Sequence, residues 1–336
     1  MKKIYLILSI FAIVFTACET DFDVNAEWEE VTIVYGLLDA GDSAITQLIK
    51  INKAFLGKMS AQQMAQYADS VNFNPNNLNV SICRIKNESR IDSVVLDTAI
   101  IIKDPFDSDG SPGIFSIENN IIYTFENDNF LNSDSEYEIF IKNNITGNSV
   151  SSTTEILKEF GFSSGIPTNT SKKMTFCVLN LDGSTYSYRN KGFNWSDPNN
   201  AEIFQFILRF KYKENGLEKE LLWNQTELGR GENTLILSGE DFFHQFLANN
   251  LDALDDDDER EFISIDIEMT IGTQDLKTYI AVNEPITGIV QERPQFTNIN
   301  NGIGLFSSRY TKVYPGLSLN ADSEKYIIEE LGLNFK

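Results

Sequence analysis

Two stretches of strict alternation confine this chain to β structure. From Ile203 to Lys213, Phe204, Phe206, Leu208, Phe210 and Tyr212 fall on one side, and Gln205, Arg209, Lys211 and Lys213 on the other. From Phe262 to Ile271, Ile263, Ile265, Ile267, Met269 and Ile271 alternate with Ser264, Asp266, Glu268 and Thr270. Successive side chains of a strand point to opposite faces, so each pattern predicts a strand with one dry face and one wet face. Strands of that kind belong to antiparallel sandwiches or barrels, whereas a parallel sheet covered on both faces reads as a continuous apolar run.

Shorter versions of the pattern fill the first half. Val31–Tyr35, Ile49–Phe55, Leu78–Cys83 and Tyr137–Lys142 each alternate over a few residues, and Thr146-Gly147 is a hairpin turn signal leading into Ser149–Thr154. A few helices interrupt the strands. Ser60 and Gln63 form a capping-box pair ahead of Met64 and Ala68. Ser238 with Asp241 starts a helix near residues 240–250 whose apolar face is Phe242, Phe243, Phe246 and Leu247. Asn320 starts another over 321–331, with Tyr326, Ile327 and Leu331 inward and Gly332 as its stop. Leu157 to Pro167 breaks the strand pattern with Gly161, Gly165 and Pro167. The expected fold is therefore mainly β: two antiparallel sandwich- or barrel-like domains, residues 29–157 and 158–336, with a few short helices.

The first 28 residues have a separate purpose. Met1-Lys2-Lys3 is a positive start, Ile4 to Phe15 an uncharged run of apolar or small residues, and Thr16-Ala17 small residues ahead of Cys18. This is the layout of a secretory signal peptide with a cysteine at the cut site, as in bacterial lipoproteins. The run is shorter than the roughly 20 apolar residues needed to span a bilayer. Residues 1–17 are expected to be removed, Cys18 to be lipidated, and 18–28 to act as an acidic tether from a membrane.

Charge excludes some partners. The chain carries 49 acidic residues against 27 basic ones, a net charge of −22. Nucleic-acid binding needs a basic stripe to neutralise phosphates, and none is present. Recognition of anionic headgroups by a polybasic patch is disfavoured for the same reason.

Little catalytic chemistry is marked. A Ser-His-Asp or Cys-His arrangement would have to use His244, the single histidine, which falls on the polar side of its helix with Glu240, Asp241 and Gln245 and reads as a solvated surface residue. Cys83 and Cys177 are far apart in strand-like stretches, read as free thiols, and fit no zinc spacing. No cofactor or metal site is expected. Asp255-Asp256-Asp257-Asp258-Glu259 reads as a solvated linker in preference to a calcium loop, because no glycine or asparagine shapes it. Asp107-Ser108-Asp109-Gly110 would place Pro105 and Ser116 at the ends of an EF-hand loop, so that motif fails. Trp195 reads as core, while Trp28 and Trp223 are the candidates for stacking on a ligand. A glycosidase needs two suitably spaced acids, and no local motif marks such a pair.

Several segments resemble known families. Asn194-Trp195-Ser196-Asp197-Pro198 followed by Ala201-Glu202-Ile203-Phe204 resembles the Trp-to-paired-strand layout of fibronectin type III-like domains. Tyr137 to Ile141 followed by Asn144-Ile145-Thr146-Gly147 resembles the closing hairpin of similar sandwiches. Ile51 to Gly57, Asn298 to Phe306 and the lipidation signal together resemble a group of Bacteroidota outer-membrane and surface lipoproteins. The Glu19-Thr20-Asp21-Phe22-Asp23 start resembles the signal that carries such lipoproteins to the cell surface. Asp-Ser/Thr-Ala/Val at Ser43, Ser70, Ser93 and Thr98 resembles the O-glycosylation signal of secreted proteins of that phylum. The resemblance implies a lipid-anchored protein of the outer membrane, exposed at the cell surface. It is expected to be non-catalytic and to bind a ligand or partner beside an outer-membrane nutrient transporter. The alternative is a structural or assembly subunit of an envelope machine for adhesion, gliding or secretion, and a glycoside hydrolase stands third.

Overall fold

The computed structural model describes residues 31–41, 45–54, 61–102, 113, 120–167, 173–229, 231, 233–255, 258–284 and 295–336. The fold is mainly β, with several sheets in which most neighbours run antiparallel. The first half contributes β1 (Thr32–Asp39), β2 (Thr46–Lys53), β3 (Leu78–Lys86), β4 (Ser89–Val95), β5 (Asp97–Ile100), β6 (Ile121–Glu126), β7 (Glu136–Asn143) and β8 (Ser149–Glu155). The second half adds the short strands β9 (Phe162–Ser164), β10 (Lys173–Met174), β11 (Cys177–Leu179), β12 (Tyr186–Tyr188) and β13 (Lys191–Trp195). It continues with β14 (Ile203–Glu214), β15 (Leu217–Gly229), β16 (Thr234–Leu237), β17 (Arg260–Gly272) and β18 (Gly302–Leu319).

A nine-stranded sheet runs through both halves in the order β15-β14-β17-β18-β1-β2-β6-β5, with β10 also paired to β18. A four-stranded sheet, β4-β3-β7-β8, packs over its β1-β2-β6 region, and a three-stranded sheet joins β16, β13 and β9. The alternation in β14 is realised fully: Phe204, Phe206, Leu208, Phe210 and Tyr212 are all buried.

Two features of the large sheet differ from the alternation reading. First, β1 and β18 pair in parallel, Thr32 to Asp39 against Gly302 to Arg309. Gly304 permits that approach. It sits at φ 115°, and a Cβ there would come within 2.0 Å of the Val34 carbonyl oxygen. Second, Ile263 leaves the apolar row of β17. The pairing to β14 steps from Lys211–Ser264 to Tyr212–Phe262, so Ile263 is the extra residue of a β-bulge. Beyond the bulge the faces exchange: Phe262 packs on Phe210 with ring centroids 5.2 Å apart, and Ile263 is 38% exposed.

Among the described residues, buried apolar side chains form two clusters. One gathers residues from Val34 to Ile156 and takes in Ile299 and Phe306 from the far end of the chain. The other runs from Leu157 to Phe335. β18 serves both, giving Phe306 to the first and Tyr310, Leu317 and Leu319 to the second.

The helices are short. The segment read as one helix after Ser60 is two, α1 (Ala61–Ala65) and α2 (Ala68–Val71), with Ala65 and Val71 buried; Ser60 itself lies outside the described residues. Residues 239–250 form α3, capped by a 3.2 Å hydrogen bond from the Asp241 N–H to Ser238 Oγ. Its middle, Phe242–Leu247, is widened into a π-turn, and Phe242, Phe243, Phe246 and Leu247 are buried as the sequence predicts. A helix not anticipated, α4 (Gln274–Asn283), follows β17 and buries none of its residues. In α5 (Ala321–Glu329) Tyr326 and Ile327 point inward, and Gly332 takes φ 64° just beyond. Asn320 occupies the cap position, but its side chain donates to the Cys177 carbonyl and does not cap the helix. Cys83 and Cys177 are buried free thiols. Burial pushes the Cys177 thiol up to about 11.

Candidate functional site

A groove of about 790 Å³ lies on the open face of the large sheet, beneath α4. Four strands floor it: Tyr35, Leu37 and Asp39 from β1, Leu48 and Thr46 from β2, Glu268 and Thr270 from β17, and Leu305, Arg309, Thr311 and Val313 from β18. Gln205 of β14 closes one side, and Leu276, Tyr279 and Ile280 of α4 form the roof. Period-2 geometry explains the set, because alternate residues of neighbouring strands share a face.

The groove is graded in polarity. Parallel register puts Tyr35 beside Leu305, Leu37 beside Ser307 and Asp39 beside Arg309. Its apolar end is Tyr35, Leu305 and the α4 side chains; its polar end is Asp39, Arg309, Thr311 and Thr270. The α4 roof is tied down at its start, where Thr273 Oγ1 lies 2.5 Å from Ser307 Oγ and Asn298 Nδ2 donates to Asp275 at 2.8 Å. Further along, Tyr279 meets Tyr35 edge to face at 6.0 Å. Burial, then the neighbouring Tyr35 hydroxyl, pushes the Tyr279 phenol up to about 12.

At the polar end Asp39 is almost fully buried and saturated with donors. Its Oδ1 accepts from the Gly41 N–H at 2.8 Å and the Thr311 N–H at 3.2 Å; its Oδ2 accepts from Thr311 Oγ1 at 2.9 Å and Arg309 Nε at 2.9 Å. Gly41 belongs to this arrangement, since a Cβ there would lie 2.1 Å from the Thr311 carbonyl oxygen. Gln47 braces the backbone of Asp39 from the other side, accepting from its N–H and donating to its carbonyl, both at 2.8 Å. Glu268, across the groove, is bound by Arg209 at 3.2 Å.

A second, mostly polar cleft sits where β7 and β8 meet the loop before β14. Its two adjoining lobes measure about 460 and 360 Å³ and share Glu136, Glu155 and Asn200. Glu136 and Glu155 are cross-strand partners, and Asn200 donates to Glu155. Among the described residues no aromatic side chain lines it.

The residues singled out from sequence are scattered. Cys18, Trp28, Ser43 and Asp107–Gly110 lie outside the described residues. Trp223 is half-buried on β15, with one indole face stacked on Phe246 at 5.2 Å, so that face is unavailable to a ligand. Trp195 is in the core, 6.1 Å from Phe204. Ser70 is half-buried on α2, while Ser93 and Thr98 are exposed on β4 and β5. His244 is exposed yet not merely solvated: its Nε2 lies 2.7 Å from the Tyr188 hydroxyl and 3.2 Å from that of Tyr326. Burial and the Tyr188 hydroxyl raise the Tyr326 phenol. Among the described residues no three His, Cys, Asp or Glu side chains gather as a metal would need. The groove was missed by sequence reading because its residues come from five strands and a helix that are spread from Tyr35 to Val313 along the chain.

The chain matches no protein-family model and no curated protein.

Proposed function

We propose that this is a non-catalytic, lipid-anchored envelope protein that binds a ligand in the groove beneath α4. In this reading it is held at Cys18 in the outer membrane, facing the cell exterior, and serves as an accessory of a nutrient transporter. The observation that supports it is the groove itself: about 790 Å³, within the range of small-molecule sites, with two tyrosines at one end and a few fixed polar groups at the other. The test is mass spectrometry of small molecules extracted from the protein purified from its own envelope. Leu48 lies half-exposed on the groove wall, so Leu48→Trp should fill the groove without disturbing the core. A molecule present in the parent and lost in the variant supports the reading; no such molecule in either argues against it. Incorporation of labelled fatty acid, abolished by Cys18→Ala, tests the anchor.

One observation favours assembly instead. β4 and β5 are both sheet edges; Ile91, Val95 and Ile100 are exposed along them, and Ile102, just past β5, is 94% exposed. Unprotected apolar edges pair readily with other chains. A chain that sediments as a defined oligomer, and becomes monomeric with Val95→Lys and Ile100→Lys, would favour a structural subunit.

A further inference from the structure

We infer that the groove takes an amphipathic monocarboxylate, an extended apolar chain of about ten carbons ending in a carboxylate that sits on Arg309. This rests on the ligand-binding reading of the groove.

The head is argued from the guanidinium. Asp39 already accepts four hydrogen bonds, about the capacity of a carboxylate, and only one of them comes from Arg309, through Nε. Among the described residues Nη1 and Nη2 of Arg309 have no hydrogen-bond partner, and the side chain is 46% exposed where it lines the groove. The buried Asp39 thus holds the guanidinium by one nitrogen and leaves a two-donor fork facing the groove. A planar carboxylate matches such a fork with two parallel hydrogen bonds.

The chain is argued from the gradient. From Arg309 back to Leu305 is four residues of strand, ~13 Å. Over that distance the lining changes from Asp39, Thr46 and Thr311 to Tyr35, Leu48 and Leu305, roofed by Tyr279 and Ile280. A single negative charge is favoured over two because the Arg309 fork offers one pair of donors, and Glu268, which lines the same groove, is already paired with Arg209 and supplies no cation for a second.

The experiment is isothermal titration of the full chain bearing Cys18→Ser, which requires no competing detergent, with four probes: decanoate, octanoate, methyl decanoate and decyl phosphate. Decanoate is expected to bind at one site, with octanoate about tenfold weaker for its two lost methylenes. Methyl decanoate and decyl phosphate are each expected to bind at least about tenfold weaker than decanoate. Arg309→Lys, which keeps the charge but not the fork, is expected to weaken decanoate about tenfold and leave methyl decanoate unchanged. Equal binding of acid and ester overturns the inference, as does an Arg309→Lys variant that binds decanoate normally. If that variant fails to fold, the acid–ester comparison on the intact groove decides alone. Failure of every probe, with a native molecule still lost in Leu48→Trp, overturns the carboxylate while the ligand-binding reading stands. Failure of both overturns both.

Discussion

Asp39 and Arg309 lie 270 residues apart in sequence and meet through a 2.9 Å hydrogen bond from Nε to Oδ2. Arg309 is also the residue at which β18 faces two partners, pairing with Asp39 on β1 and with Gly272 on β17. The bond therefore ties the N-terminal strand, the long C-terminal strand and β17 at one point. The two ends of that bond are unequal. Asp39 is buried with four donors around it, while Arg309 is half in water.

Substitution should expose the inequality. Asp39→Asn leaves buried donors without acceptors and is expected to cost about 2–3 kcal/mol. Arg309→Ala removes a solvent-screened partner and is expected to cost about 1 kcal/mol or less. Urea titration of both variants checks the order, and a larger loss for Arg309→Ala would mean that Asp39 is not the anchor.

Acid stability should depend on Glu214. Its carboxyl is held below its ordinary 4.5, chiefly by the hydrogen bond from Lys219 and then by the buried Arg260. A carboxyl depressed in the folded state stabilises above its unfolded pKa and ceases to do so as pH falls through the folded value. Glu214→Gln should be less stable than the parent at neutral pH, and the difference should shrink below about pH 4.5. Chemical denaturation across that range is the measurement; a difference that persists unchanged at low pH would assign the effect to packing.

Calcium should leave stability unchanged through Asp255–Glu259. The described part of that loop is fastened by its backbone. Asn334 accepts from the Leu254 N–H at 3.2 Å and donates to the Asp255 carbonyl, and the Glu259 N–H donates to Asn215 Oδ1 at 3.1 Å. The fixed cation Arg260 follows directly, its Nη1 on the carbonyls of Asp252 and Leu333. A calcium site would add ~2.7 kcal/mol at 100 times its dissociation constant. Thermal melts with calcium and with chelator, on the parent and on a variant with Asp255 to Asp258 changed to Asn, decide it; a rise of several degrees lost in the variant would establish a metal site.

We propose residues 29–157 as a folding unit that is incomplete without β18. Expressed alone, that fragment is expected to melt cooperatively but at a lower temperature, because β1 lacks its parallel neighbour and the core lacks Ile299 and Phe306. Loss of one fully buried phenylalanine costs about 3–5 kcal/mol. A peptide of residues 295–311 should raise the midpoint. No effect of the peptide would show that the first core stands without it.

The sequence by itself determined several of the strands, β1, β2, β3, β7, β8, β14 and β17, and most of their faces. Burial of alternate residues is a local consequence of backbone geometry, so the dry row of β14, the β7–β8 hairpin and the buried face of α3 were all legible in order. It also determined the charge balance and the layout ahead of Cys18. The tertiary structure decided what alternation cannot encode. A parallel pairing between β1 and β18 carries no local signal, because the two strands have almost the whole chain between them. The bulge at Ile263 inverts a face through one extra residue that looks, in sequence, like the rest of its row. The groove exists only because that pairing sets Asp39 against Arg309 and Tyr35 against Leu305, and because α4, with no buried residue to announce it, lies across them. A site assembled from distant strands depends on register, and register is settled by contacts between segments, not within them.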